Sequence, residues 1–347
     1  VRVGDADLPM TDYEIYSFES YKAHVHDDER PIDRADLSLL DEVGINNYIL
    51  QMKLNRPYFS KLSEEKIYEL LSITRNGVPT LASVLNFGIY PQGLLPQLAI
   101  TATVIPGTEI GETTNDGVRF LDNKRIEGTL SEMLDEAIAF CNRNMRTQTI
   151  IDQNTGKRND KTEYPINAIR EAILNALIHR DYSVHTEGTT IQISFFTNRL
   201  EIHSPGRLYG RMTVDDLGKA RPDLRNPALA TMSEFLLKTK NRYSGIPTIR
   251  REMKEYGLPE PLFENKRNEF VVTLFNKTEN SINNSEDNTD LITFCKTPRT
   301  RQEISDYLGL KTTQYVSKNY IQPLVNQGKL KLLDPDKPKS KNQKYYS

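Results

Sequence analysis

Three polar residues spaced four apart, Glu171, Asn175 and His179, interrupt the otherwise apolar run EAILNALIH. At about 100° per residue they fall on one narrow stripe of a helix. Ile169, Ala172, Ile173, Leu174, Ala176, Leu177 and Ile178 cover most of the remaining circumference. A helix that apolar is buried, and a buried carboxylate beside a buried amide needs partners. Two accounts meet that need. One is a metal-bound phosphate, with Asn175 on the ion and Glu171 orienting water. The other is an internal polar network, in which His179, Arg180 and Asp181 close a buried set of hydrogen bonds. His179, Asp181 and Ser183 include the residue types of a nucleophilic triad but crowd one helix end too closely for its geometry. His24 and His26 are too isolated to hold a metal and read as exposed loop residues.

The elements around this helix are legible from capping and alternation. Thr129 and Glu132 form a T-x-x-E box ahead of LSEMLDEAIAFCNRNM, whose Leu130, Met133, Leu134, Ala137, Ile138 and Cys141 share a face. LPQLAITATVIPG alternates as a strand closed by Pro106-Gly107, and Ser63 opens a helix over SEEKIYELLSI. From Lys161 to Asn276 the pattern reads helix, hairpin, loop, helix, helix, strand. TTIQISFF and RLEIHS are joined by a Thr197-Asn198 turn, and Asn226 with Pro227 starts NPALATMSEFLLK. Helices on one face of a largely antiparallel sheet make an α+β sandwich. Residues 13–127 carry no comparable chemical signature and read as a mixed helical and strand scaffold.

Composition narrows the classes. The 347 residues are 37% hydrophobic and 27% charged with net charge −2, ordinary for a globular chain of two or three domains. No apolar run approaches the roughly 20 residues that span a bilayer, so no membrane partner is expected. Cys141 and Cys295 lack CxxC spacing, which argues against structural zinc or a disulfide framework and suits the cytoplasm. The opening VRVGDADLPM has no leader pattern and reads as the tail of a strand from a longer protein.

After the polar stretch 279–289, read as a linker, the charge changes. Residues 290–347 hold eleven lysines and arginines against five acidic residues. Their pattern is helix, helix, turn, longer helix, hairpin, the order of a winged helix-turn-helix, with Leu308-Gly309-Leu310 as the turn. Thr312, Thr313, Gln314, Ser317 and Lys318 would begin the recognition helix, where amides and hydroxyls read base edges. Arg301 and the wing lysines Lys337, Lys339 and Lys341 would hold phosphates of duplex DNA. The alternative is a protein-contact module with a solvated basic face. Pro323 is expected to kink or end the longer helix.

LDNKRIEGT, TEYPINAIREAILNALIHRDY, HTEGTTIQI, LEIHSPGRLYG, RNPALA and NRYSGIPTIRREM together resemble the RecG-related transcriptional regulators. The resemblance implies a truncated Schlafen AlbA-type tail at 1–12, a divergent GHKL (Bergerat) ATPase-like α/β sandwich at 128–278 and a winged helix at 290–347. In GHKL proteins an N-box helix supplies a water-polarising Glu and a magnesium-binding Asn, which Glu171 and Asn175 match. The resemblance likewise implies ATP or ADP with Mg as cofactor, contacted by Asn175, His179, Ser204, Gly206, Asn226, Ser244 and Gly245, and a homodimer. Two departures stand out. The aspartate that recognises adenine before the first glycine loop is replaced by His203-Ser204, and the later turn has one clear glycine. No G-x-x-x-x-G-K-[ST] loop is present, so no helicase motor is expected. The expected function is a DNA-binding transcriptional regulator with a nucleotide-sensing or dimerising middle domain. A working Mg-dependent ATPase is the alternative.

Overall fold

The computed structural model describes residues 2–3, 6–7, 9–151, 158–221, 223–237, 245–276, 291–308, 313–326, 328–335, 337, 340 and 343–347. The chain divides into two compact units, Val1–Asn276 and Lys277–Ser347. The expected linker and the turn at Gly309-Leu310 lie outside the described residues.

The first unit is built on a six-stranded mixed sheet. Its strands are β1 (Ile100–Val104), β2 (Asp122–Ile126), β3 (Ile191–Phe195), β4 (Arg199–Pro205), β5 (Leu262–Asn265) and β6 (Glu269–Phe275). They lie in the order β5-β6-β4-β3-β1-β2. Neighbours are antiparallel except β1 and β3, which run parallel. The class is therefore mixed α+β. β1 and β2, from the stretch read as scaffold, share this sheet with β3 to β6 across the boundary expected at 127/128. A strand unforeseen from sequence, β5, pairs with β6; four residues of LFEN are too short to show a period.

Alternation places one face of the sheet under the helices. In β4, Leu200, Ile202 and Ser204 are buried, while Arg199, Glu201 and His203 take the opposite face and are half-buried. The helices used below are α1 (Asp12–Ala23), α2 (Glu42–Asn55), α3 (Leu81–Phe87), α4 (Leu130–Asn144), α5 (Ile166–His179), α6 (Pro227–Leu236) and α7 (Gly245–Glu255). The capping box ahead of α4 forms, with Thr129 N–H donating to Glu132 at 2.7 Å. Leu130, Met133, Leu134, Ala137 and Cys141 are buried beneath it. α4 packs over β1 and β2, α5 over β4 and against α7, and α3 against α6. Ser63 precedes a short helix, Glu64–Leu70, without capping it through its side chain.

The second unit has its own core of Leu291, Cys295, Ile304, Val316, Ile321, Leu324, Leu330 and Tyr345. A helical turn at 291–294 leads to β7 (Arg299–Thr300) and α8 (Arg301–Tyr307), which starts with a Thr300/Glu303 capping box. Thr313–Val316, a wide π turn at Ser317–Ile321 and Gln322–Asn326 follow. The wide turn accounts for Pro323, whose ring and missing N–H disfavour a regular i to i−4 register. β8 (Lys331–Leu332) and β9 (Lys344–Tyr346) complete a three-stranded antiparallel sheet in the order β7-β9-β8. Gln343, almost fully buried, ties the β8–β9 connection together by donating to the carbonyls of Asp334 and Lys337.

Candidate functional site

α5 begins directly after Pro165, whose fixed φ suits a helix entrance. Ala168, Ile169, Ala172, Ile173, Ala176 and Leu177 are buried. The polar stripe instead faces a cavity of about 320 Å³. Glu171, Asn175, His179, Ser204, Gly206 and Gly245 all line this one cavity, with Ile202, Leu208, Met212, Leu217, Phe270 and Val272 as apolar wall. The structure thus brings together six residues that the sequence scatters over 75 positions.

α6 runs antiparallel to α5. At its start, Asn226 Nδ2 donates to the carbonyls of Ile178 and Arg180, both at 2.8 Å. Beyond its end, the Leu237 carbonyl accepts from Arg170 near the beginning of α5. Asn226, expected as a helix cap and a nucleotide contact, stands at the start of α6. Its side chain makes no cap to α6, does not line the cavity, and satisfies the last carbonyls of α5. The α6 start is served by Asp28, fully buried, whose Oδ2 accepts from Leu229 N–H at 2.9 Å.

At one end of the cavity α7 starts. A β-carbon on Gly245 would stand 2.8 Å from Asn175 Nδ2, 3.0 Å from Asn175 Oδ1 and 3.1 Å from Glu171 Oε2. Asn175 Nδ2 is buried and, among the described residues, has no hydrogen-bond partner. Burial raises the Glu171 carboxyl above its ordinary range, with Arg170 partly offsetting it. Ser244, predicted beside Gly245, lies outside the described residues.

At the other end, protein around the His179 ring and the nearby Arg225 charge push its pKa down to about 4. The residue is nonetheless exposed and lines the cavity. Ser204 is engaged, its hydroxyl donating to the Ala176 carbonyl at 3.2 Å. Gly206 has φ +99°, and a β-carbon there would lie 2.4 Å from Asp181 Cβ and 2.6 Å from Arg225 Nη1. Its glycine lets the backbone pass a buried ion pair, Arg225 Nη1 to Asp181 Oδ2 at 3.6 Å.

Sequence reasoning missed α1. Thr11 and Glu14 form its capping box, yet it has no apolar face to reveal it, and Glu14 and Ser20 are its buried residues. Polar contacts hold it instead. Tyr13 donates to Asp181 at 2.9 Å, Glu14 pairs with Arg207 and Arg267, and Tyr21 donates to Asp223 at 2.9 Å. His26 is likewise not a free loop residue, because its Nδ1 lies 3.0 Å from the Arg225 carbonyl. Arg180, read as closing a network, does so by donating to the Thr186 and Thr189 carbonyls. Among the described residues, no three or more His, Cys, Asp or Glu side chains gather as a metal site.

In the second unit Arg301 Nε donates to Tyr345 Oη at 2.9 Å, which ties part of its head to β9. Thr313 and Ser317 are half-buried on the helix, and Lys337 is exposed. The side chains of Gln314 and Lys318, and all of Thr312, Lys339 and Lys341, lie outside what is described.

Comparison with known proteins adds three findings. Residues 188–274 match the family described as "Putative ATP-dependent DNA helicase recG C-terminal", an ATPase-like domain model. That interval holds β3 to β6, Gly206 and Gly245 but begins after Glu171 and Asn175. Residues 289–346 match "Filamentation induced by cAMP protein Fic-like, C-terminal domain". The crystal structure of the DIP2311 protein from Corynebacterium diphtheriae superposes with a TM-score of 0.54 at 19% identity, over 93% of this chain and 64% of that one. This likeness shows a shared fold, and the chain spans about two thirds of that neighbour's length. No curated protein matches the chain. No helix among the described residues is long and apolar enough to cross a membrane.

Proposed function

We propose that the first unit binds a nucleoside phosphate with Mg²⁺ in the α5–α7 cavity, and that the second unit is a winged helix that binds duplex DNA. Together they make a nucleotide-responsive DNA-binding regulator. The observation that carries the nucleotide reading is Asn175 Nδ2, buried and without a hydrogen-bond partner among the described residues, beside Gly245 and Glu171. A buried donor without an acceptor is costly, and a phosphate oxygen at the start of α7 supplies what is missing. Mg²⁺ takes one or two protein ligands and otherwise uses water and phosphate oxygens, and Asn175 Oδ1 would be its protein ligand here. When bound, the ion and phosphates supply the charge that Asn175 and the α7 N–H groups orient. Apolar Ile202, Phe270 and Val272 keep water from that wall.

The raised carboxyl of Glu171 favours a second reading, slow hydrolysis with Glu171 as general base, because a base poised nearer neutrality accepts a proton more readily. Phosphate release by the wild type, lost in Glu171→Ala while binding survives, supports it; no release above background rejects it.

The DNA reading rests on charge and element order. The order helical turn, β7, α8, helix, β8, β9 supports the winged-helix reading, and Lys337 is exposed in the β8–β9 connection. Thermal protection by MgATP in the wild type and none in Asn175→Ala tests the nucleotide part. Salt-sensitive retention of duplex DNA tests the other.

A further inference from the structure

The two ends of the cavity differ in chemistry. Glu171 and His179 are eight residues apart on α5, about 12 Å along the axis. The Gly245 end offers a helix start and an amide. The far end is set by the loop that follows β4 and by residues 223–225, which precede Asn226 at the α5 terminus. Here Tyr209 and Asp223 line the cavity beside His179. The Arg225 guanidinium lies 5.2 Å from the Tyr209 ring centre, and Tyr21 meets that ring edge-on at 5.3 Å.

Asp223 is exposed to the cavity and oriented. Its Oδ2 takes the Tyr21 hydroxyl at 2.9 Å, while among the described residues Oδ1 has no hydrogen-bond partner. Gly210 makes this possible, because a β-carbon there would fall 2.8 Å from the Tyr21 ring and 2.9 Å from Asp223 Oδ2. Its φ of +66° is one that glycine adopts freely. An ionised carboxylate accepts and never donates. Held beside an aromatic ring at the His179 end of the cavity, away from the start of α7, it selects a base that presents an amine and disfavours one that presents a carbonyl in its place.

We propose that Asp223 is the base-reading residue of this cavity, accepting a hydrogen bond from the exocyclic amine of an amino-purine, with Tyr21 as the positioning residue that aims it. This rests on the nucleotide reading above. It assigns base selection to a loop residue anchored by α1 and not to the β4 terminus, where Ser204 has already committed its hydroxyl to Ala176.

The test is calorimetric titration of the magnesium complexes of ATP, GTP and inosine triphosphate into the full chain, its Asp223→Ala variant and its Tyr21→Phe variant. Inosine lacks the amine of both adenine and guanine. The wild type should prefer ATP or GTP over inosine triphosphate by about tenfold, the worth of one hydrogen bond to a charged group. In Asp223→Ala that preference should fall to within about twofold. Tyr21→Phe should narrow it partway. Full preference retained in Asp223→Ala, or equal binding of all three by the wild type, overturns the assignment while leaving a nucleotide site. A wild type that binds none of the three overturns the nucleotide reading, and the assignment with it.

Discussion

Gly245 and Asn175 are in contact: a β-carbon on the glycine would stand 2.8 Å from the asparagine's unpartnered Nδ2. Gly245→Ala therefore sets two effects against each other. Alanine favours the first turn of α7 by up to about 1 kcal/mol. Its methyl group also pushes the Asn175 side chain off its present position. The expected outcome is an unfolding free energy within about 1 kcal/mol of wild type and nucleotide affinity reduced at least about tenfold. Urea denaturation and calorimetry on the same preparations measure both.

Gly206→Ala should behave oppositely. Its φ of +99° and the Asp181 backbone nitrogen 3.1 Å from the would-be β-carbon leave neither conformation nor space for a side chain. A loss of about 2–4 kcal/mol is expected in chemical denaturation, because strain and a disturbed buried ion pair act together.

Asn226→Ala removes donors from two α5 carbonyls, those of Ile178 and Arg180. Stability should fall by about 1–3 kcal/mol. Nucleotide affinity measured below the unfolding transition should stay unchanged, since the side chain does not line the cavity. A variant of wild-type stability with weakened binding would restore Asn226 as a ligand contact.

On the outer face of the sheet, His203 Nδ1 and Nε2 lie 3.0 Å from Glu269 and Glu201. Burial works against the imidazolium, but the two carboxylates prevail and raise its pKa from 6.5 to about 9. A group whose folded pKa is raised stabilises fully below its unfolded value and loses that contribution as pH rises through the folded one. Stability should thus decline between pH 6.5 and about 9, and the His203→Gln variant should show a flatter profile over that window. Denaturation midpoints at half-unit pH steps compare the two.

For the second unit, duplex affinity of the full chain should fall steeply with salt, the sign of displaced counterions. Lys337→Glu should weaken binding about equally for unrelated sequences and reduce the salt slope, measured by fluorescence anisotropy.

Much of this fold is readable in the chain because the signals are local. The Thr129/Glu132 box, the β3–β4 hairpin and the apolar circumference of α5 each lie within a short window. Glu171 and Asn175 stand out by type and spacing, Gly245 only by the family resemblance, and the three share one cavity. What escaped is long-range and polar. α1 is held by Tyr13, Glu14 and Tyr21 reaching residues about 170 to 250 positions away, and no periodicity reports such pairs. Asp28 serving α6 and Asn226 serving α5 are equally silent, because a cap supplied from a distant segment leaves no mark beside the helix it completes.

Calorimetric titration of MgATP and MgADP into the wild type and Asn175→Ala tests the central claim most directly. Saturable binding by the wild type, abolished in a variant whose circular dichroism is unchanged, is the predicted result. No heat of binding in the wild type would contradict it, leaving Glu171 and Asn175 as members of an internal polar network.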